Sequence, residues 1–201
     1  MRAMKAPIEF ETPRLMLRQW TAADRAPFAA LNADPIVMAY FPAPLVREES
    51  DAIADRCEHL IAERGWGAWA TTLKATGEFI GIVGLSNPQA DLPVSPCVEI
   101  LWRLAQPYWR RGFATEAARG ALHIGFEVLA LKEIVAFTVP SNARSRAVME
   151  RLGMQMDAAT FEHPGVPQGH ALRTHCVYRL SRDSWLHNSA RIWLRITDIG
   201  H

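Results

Sequence analysis

The sequence predicts an α/β fold: one mixed, mostly antiparallel sheet of about six or seven strands, with a parallel pair in the middle and helices on both faces. Three observations predict it. The strand-like run Val98–Leu104 is followed by a long amphipathic helix and then a buried strand, Glu133–Val139. That succession joins parallel strands by a right-handed crossover. Trp66–Ala70 and Glu78–Leu85 flank a turn at Lys74–Gly77, the pattern of an antiparallel hairpin. Gln155–Phe161 and Thr174–Leu180 form a second pairing, across a loop that holds His163, Pro164, Pro167 and His170.

Taken in order, Thr12–Arg18 reads as the first strand, with Leu15 and Leu17 on one face. A helix then starts at Thr21, an N-cap with Asp24 at the capping-box position; it buries Phe28 and Leu31 and ends before Pro35. Pro35, Pro42 and Pro44 bracket an irregular segment around Tyr40 and Phe41, and Ser50–Arg64 forms a second helix. After the hairpin, Pro88–Pro96 is a polar loop leading into Val98–Leu104, where Val98, Ile100, Trp102 and Leu104 alternate with Glu99, Leu101 and Arg103. The helix that follows carries Ala114, Ala117, Ala118, Ala121, Leu122 and Phe126 along one stripe, with Glu116, Arg119 and Glu127 opposite. Ser141 and Asn142 cap a further helix that Gly153 closes. Ile192, Leu194 and Ile196 alternate weakly in the last stretch, so residues 186–201 are read as an uncertain C-terminal extension of a single domain, 1–201.

Composition excludes several classes. A formal charge of +1 over 201 residues provides no global basic field, which argues against nucleic acid as a partner. Cys57, Cys97 and Cys176 lie far apart without a Cys-x-x-Cys, as expected of reduced thiols. No apolar run reaches the length of a signal peptide or a membrane span, so the expected setting is cytoplasmic, with no membrane partner. The histidines form no His-x-x-x-His or His-Glu-x-x-His, so no metal is expected, and there is no Gly-x-Ser-x-Gly.

The chemistry concentrates at Arg110-Arg111-Gly112-Phe113-Ala114, the turn between the central strand and the long helix. A helix start leaves about four backbone N–H groups unpaired at the positive end of its dipole. Small residues there let a phosphate approach, and two arginines add charge. Gly112 could equally do no more than make a tight turn between solvated arginines. Gly112-x-Ala114-Thr115-Glu116-Ala117 after Pro107-Tyr108-Trp109 resembles the acyl-CoA pyrophosphate loop of the GNAT superfamily of N-acetyltransferases, in the branch that holds the ribosomal-protein alanine N-acetyltransferases. The opening Thr-Pro-Arg-Leu-x-Leu-Arg and Asn142-x-x-Ser145…Glu150-x-Leu152-Gly153 are similar to the same branch, so the likeness spans about residues 10–185. Trp109 departs from the superfamily pattern, which has Gln or Arg there; Arg110 or Arg111 can supply that cation.

The resemblance implies acetyl-CoA as cosubstrate, its pantetheine arm entering where the two parallel strands splay apart. It implies cofactor contacts from Leu101, Trp102 and Leu104 on the central strand, from Arg110, Arg111, Gly112, Phe113, Ala114 and Thr115 at the turn, and from Asn142 and Ser145. Asn142 could instead serve only as a helix cap. Glu99 is the candidate catalytic base, a carboxylate in an otherwise apolar strand, where burial raises its pKa toward working pH. The competing readings are a structural pair with Arg103 on the same strand face, and a site for a substrate ammonium. Many relatives carry a tyrosine general acid where this chain has Met149, leaving Tyr108, Tyr40 or water to protonate the thiolate. Trp66, Trp69, Trp102 and Trp109 read as core or as a box for a cationic amine. The acceptor walls are expected at Pro35–Leu45 and Asp157–His175.

The expected activity is acetyl transfer to a primary amine, either a small molecule or a protein N-terminus, by direct attack; a homodimer is compatible with it. Two alternatives stand beside it: a non-catalytic acyl-CoA-binding or regulatory module, and an unrelated binder of phosphate ligands.

Overall fold

The computed structural model describes residues 6–88, 91–188 and 195–197. The strands are β1 (Glu9–Glu11), β2 (Leu15–Arg18), β3 (Ala68–Leu73), β4 (Phe79–Ser86), β5 (Glu99–Leu104), β6 (Glu133–Thr138), β7 (Gln155–Glu162), β8 (Thr174–Ser181) and β9 (Arg195–Thr197). The helices are α1 (Arg25–Ala33), α2 (Arg47–Arg64), α3 (Phe113–His123), α4 (Ala143–Arg151) and α5 (Arg182–Asn188). The strands form one sheet in the order β7-β8-β6-β5-β4-β3-β2-β1-β9. Every neighbouring pair is antiparallel except β5 and β6.

The nine strands exceed the expected six or seven. The additional ones, β1 and β9, have three residues each and pair with one another, Phe10 opposite Ile196. Three residues are too few to display a period of two. Ile192 and Leu194 lie outside the described residues. At the start, the Thr12 N–H donates to the Leu15 carbonyl, a turn that divides Glu9–Arg18 into β1 and β2.

Two helices begin differently from their sequence signals. Thr21 opens a 3-10 turn, Ala22–Asp24, before α1. Asp24 accepts from the Thr21 N–H and hydroxyl, and also binds Arg18 through both oxygens at 2.7 and 2.8 Å. Helix α2 starts at Arg47 rather than Ser50, because the Glu49 carboxylate accepts from the Val46 N–H. Gly65, at φ 89°, ends α2 in the left-handed conformation that glycine adopts without steric cost.

Helices cover both faces of the sheet. Leu85 stands opposite Ile100 across β4 and β5, so both point to one side. Gly125, just past α3, packs there so closely that a Cβ would come within 2.5 Å of the Ile134 Cδ1 and 3.2 Å of the Leu85 Cδ1. Arg103 points the other way, an odd number of residues from Ile100, and its guanidinium bonds Asn32 of α1. On that side Trp20, Phe28 and Phe79 pack edge to face or tilted, the first pair with centroids 5.0 Å apart.

The parallel pair is short. Glu99 is the β5 residue in register with β6, opposite Val135, and the Val135 N–H donates to the Val98 carbonyl at 2.9 Å. Beyond it, β5 continues beside β4 and β6 beside β8, so a gap opens between the two central strands.

Candidate active site

That gap is part of a continuous cleft of about 1740 Å³. At one end lies the start of α3. Gly112 caps the helix at φ 80°, and Arg110 also has a left-handed φ, 59°. The Arg110 conformation costs a non-glycine residue about 1–2 kcal/mol. Two left-handed residues so close together make the sharp turn from which α3 starts. The N–H groups of Phe113, Ala114 and Thr115 have no hydrogen-bond acceptor among the described residues, and these three residues line the cleft. A Cβ on Gly112 would meet the Arg14 Nη2 at 3.4 Å, and its φ disfavours any side chain. Free donors, a positive helix end and open space fit a pyrophosphate.

This turn is fastened to the connection between β1 and β2. Glu116 accepts from the Thr12 hydroxyl at 2.6 Å, from the Arg14 N–H at 2.8 Å and from the Arg14 guanidinium at 2.6 Å. Arg14 in turn donates to the Arg111 carbonyl and lies over the Phe113 ring. The helical period placed Glu116 on the solvent face. No local pattern predicts that the β1–β2 connection comes to meet it, so sequence reasoning had Glu116 within the loop motif but missed its link to Arg14.

Of the residues read as cofactor contacts, Leu101, Trp102, Leu104, Arg110 and Gly112–Thr115 line the cleft, as do Asn142 and Ser145. Arg111 does not; its guanidinium lies over Phe113. Phe113 is almost wholly buried, so it contributes backbone and packing. Asn142 does cap α4, its Oδ1 accepting from the Ser145 N–H at 3.2 Å, while its Nδ2 donates to the Thr138 hydroxyl. The cap and a position on the cleft wall coexist in one side chain. Trp109 donates its indole N–H to the Leu104 carbonyl and carries the Arg144 guanidinium 4.2 Å above its ring, joining the turn to α4.

Trp69 is core, its indole N–H donating to the Ile8 carbonyl, and Trp66 lies under Arg64. Trp102 is the remaining member of the quartet, half-buried on the cleft wall.

Glu99 sits where the β5–β6 ladder ends, deep in protein and open to the cleft. It has no hydrogen bond or ion pair among the described residues, and burial pushes its carboxyl up to about 8. The pairing with Arg103 does not form. Arg103 instead donates to the Asn32 Oδ1 and stacks over Phe41 at 4.2 Å, away from the carboxylate along the strand.

Both expected acceptor walls reach this end: Val37, Tyr40 and Phe41 from one side, His163, Val166 and His175 from the other. The Tyr40 hydroxyl lies 3.4 Å from the Ser141 carbonyl, across the cleft. The rings of His163 and His175 are 4.9 Å apart and pack with Phe137, and burial lowers the pKa of both. A third wall, from α2, was not foreseen: Ile53, Arg56, Cys57, Leu60 and Arg64 line the same space. Met149 occupies the expected tyrosine position and is buried. Burial, with Glu78 alongside, pushes the Tyr108 phenol up to about 12.

Comparison with known proteins agrees with this geometry. Residues 14–155 match the model of the acetyltransferase (GNAT) domain. Over 154 residues, 75% of this chain and 87% of the relative, the sequence is 31% identical to the uncharacterized protein YkkB of Bacillus subtilis. It is 29% identical over 197 residues to the FsC-acetyl coenzyme A-N(2)-transacetylase of Aspergillus fumigatus, covering 91% of this chain and 80% of that one. The crystal structure of a GNAT-family acetyltransferase from Bacillus anthracis superposes with a TM-score of 0.72 at 23% identity, covering 87% of this chain and 99% of its own. A nine-stranded sheet parted beside Glu99, an α3 start whose free N–H groups face the gap, and the domain match lead to one statement: the chain belongs to the GNAT acetyltransferase family.

Proposed function

We propose that the protein transfers an acetyl group from acetyl-CoA to a primary amine. One observation carries the reading: the cleft runs unbroken from the free N-terminus of α3 to the unpaired carboxyl of Glu99. Acetyl-CoA, when bound, supplies a thioester carbonyl open to attack by a neutral amine. The pyrophosphate fits the N–H groups of Phe113, Ala114 and Thr115, with Arg110 adding charge. The pantetheine arm fits the gap beside Leu101 and Trp102, where β5 has no β6 neighbour. The relative from Aspergillus is named for transfer involving acetyl coenzyme A, which agrees with this donor.

The amine must lose a proton before or during attack. Glu99 is suited to take it, since a carboxyl titrating near 8 is a stronger base than an ordinary glutamate. Only its ionised form can take the proton, and that fraction grows as pH rises toward 8. The phenol of Tyr108 is a poor proton donor at about 12. Proton return to the departing thiolate therefore falls to Tyr40 or to water, and a thiol with an ordinary pKa near 8.5 needs little help to leave.

The reading is tested by following CoA release from acetyl-CoA with a panel of primary amines and peptide N-termini. Amine-dependent release that saturates in both substrates is the expected result. Tight CoA binding without release on any amine would favour a non-catalytic acyl-CoA-binding module. Equal affinity for CoA and ADP would point to a phosphate-ligand binder.

A further inference from the structure

We infer that the acceptor is an amine that also carries a carboxylate, held by arginines that line the cleft without forming an ion pair among the described residues. The inference rests on the transferase reading and specifies its second substrate.

Three guanidinium groups line the α1–α2 side of the cleft: Arg56 and Arg64 from α2, and Arg103 from β5. All three lie near enough to Cys57 for their charge to act on its thiol, which burial nevertheless pushes up to about 11. None forms an ion pair among the described residues. Arg56 has no hydrogen-bond acceptor at all there. Arg103 donates one Nη1 bond to the Asn32 amide, while its Nε is buried without an acceptor, and burial lowers its pKa to about 10. Arg64 bonds the Trp66 carbonyl and the Asn87 amide, but its Nη2 is also buried and unpartnered.

A buried donor without an acceptor is costly, most of all on a charged group. Two such atoms, on guanidiniums that each act on the Cys57 thiol, leave donor capacity unfilled on this side of the cleft. No acceptor among the described residues fills it. The carboxylates lining the cleft are Glu99 and Glu116, and Glu116 is already engaged by Thr12 and Arg14 at the far end. Burial pushes the Glu99 carboxyl up to about 8, which favours its neutral form. Three guanidiniums without an ion pair among the described residues therefore outweigh the acids that line the cleft. A polycationic amine would meet repulsion there. A carboxylate would complete the planar forks, and the amine of the same molecule could reach Glu99. Free amino acids and N-termini of acidic peptides share this chemistry.

The test compares kcat/KM for pairs that keep the amine and change only the charge: free amino acids against their carboxamides, and acidic N-terminal peptides against amidated, neutral ones. Preference for the carboxylate by about 10- to 100-fold is expected. Arg56→Gln, which breaks no internal hydrogen bond, should narrow that preference, and Arg103→Met should remove most of it, with folding checked by melting. The free amino-acid arm and the peptide arm tell the two sources apart. Equal turnover of carboxylate and carboxamide, or better turnover of polyamines, overturns the inference while leaving acetyl transfer intact. Should no amine turn over, the transferase reading fails. Calorimetric binding of N-acetylated amino acids to the CoA-bound protein then decides the arginine site alone: preference over the carboxamide supports it and equal affinity overturns it.

Discussion

The two ends of the cleft are built on opposite principles. At the α3 end, the binding groups are backbone donors presented by one short turn, and side chains such as Glu116 serve to fix its position. At the acceptor end, the surface consists of side chains from α2, β5, the α1–α2 connection and the β7–β8 loop, brought together by tertiary structure. The first suits a ligand that never changes. The second can be altered residue by residue without disturbing the sheet. A fold can therefore hold its donor chemistry constant while the acceptor varies.

Several substitutions sharpen or break this contrast. The largest expected effect on stability is at Glu99. Its folded-state carboxyl titrates near 8, above its ordinary 4.5, so the unfolded chain ionises first as pH rises. Wild type is then destabilised progressively between about pH 4.5 and 8, by up to a few kcal/mol at 1.36 kcal/mol per pKa unit. Glu99→Gln should escape that loss, so its melting temperature should exceed that of wild type at pH 8 and approach it at pH 5. A constant gap across that range would show that the carboxyl is not perturbed.

At the opposite end, Gly112→Val should abolish the stabilisation that CoA gives wild type, about 2.7 kcal/mol at 100 times the dissociation constant. The added side chain meets both a left-handed φ and the Arg14 guanidinium. Equal thermal shifts with saturating CoA in variant and wild type would remove this turn from the binding site. Glu116→Ala should cost about 1–2 kcal/mol of stability, discounted because Arg14 is half exposed, and should weaken CoA as well, since the turn loses its fastening to the β1–β2 connection. Unchanged melting by calorimetry would contradict that role.

The smallest effect separates the adjacent arginines. Arg110→Ala should reduce CoA affinity several-fold at low salt and less at high salt, whereas Arg111→Ala, on a residue outside the cleft wall, should do less. The reverse order in a titration at two salt concentrations would place the cation at Arg111.

The contrast also explains what was legible in the sequence. The turn from Arg110 to Thr115 is contiguous, so glycine, small residues and charge could be read together. The cap at Asn142 and the Glu99 position followed from similarly local patterns. The α2 arginines could not be found that way, because nothing in the spacing of Arg56 and Arg64 indicates that they line the same cleft as Arg103. The Glu99–Arg103 pair was a reasonable expectation from strand periodicity, but it gave way to a tertiary partner, Asn32. Edge strands β1 and β9 escaped notice because three residues carry no period.

The central claim is that Glu99 accepts the amine proton, and a pH–rate profile for wild type and Glu99→Gln, normalised to folded protein and measured with saturating acetyl-CoA, tests it most directly. Wild-type rate should rise with pH through about 8 and level off as the carboxyl ionises. Glu99→Gln should turn over about 10²–10⁴-fold more slowly at neutral pH, with CoA affinity nearly intact, and its residual rate should keep climbing as free amine accumulates. Turnover within a few-fold of wild type at neutral pH, with the same profile, would contradict the account.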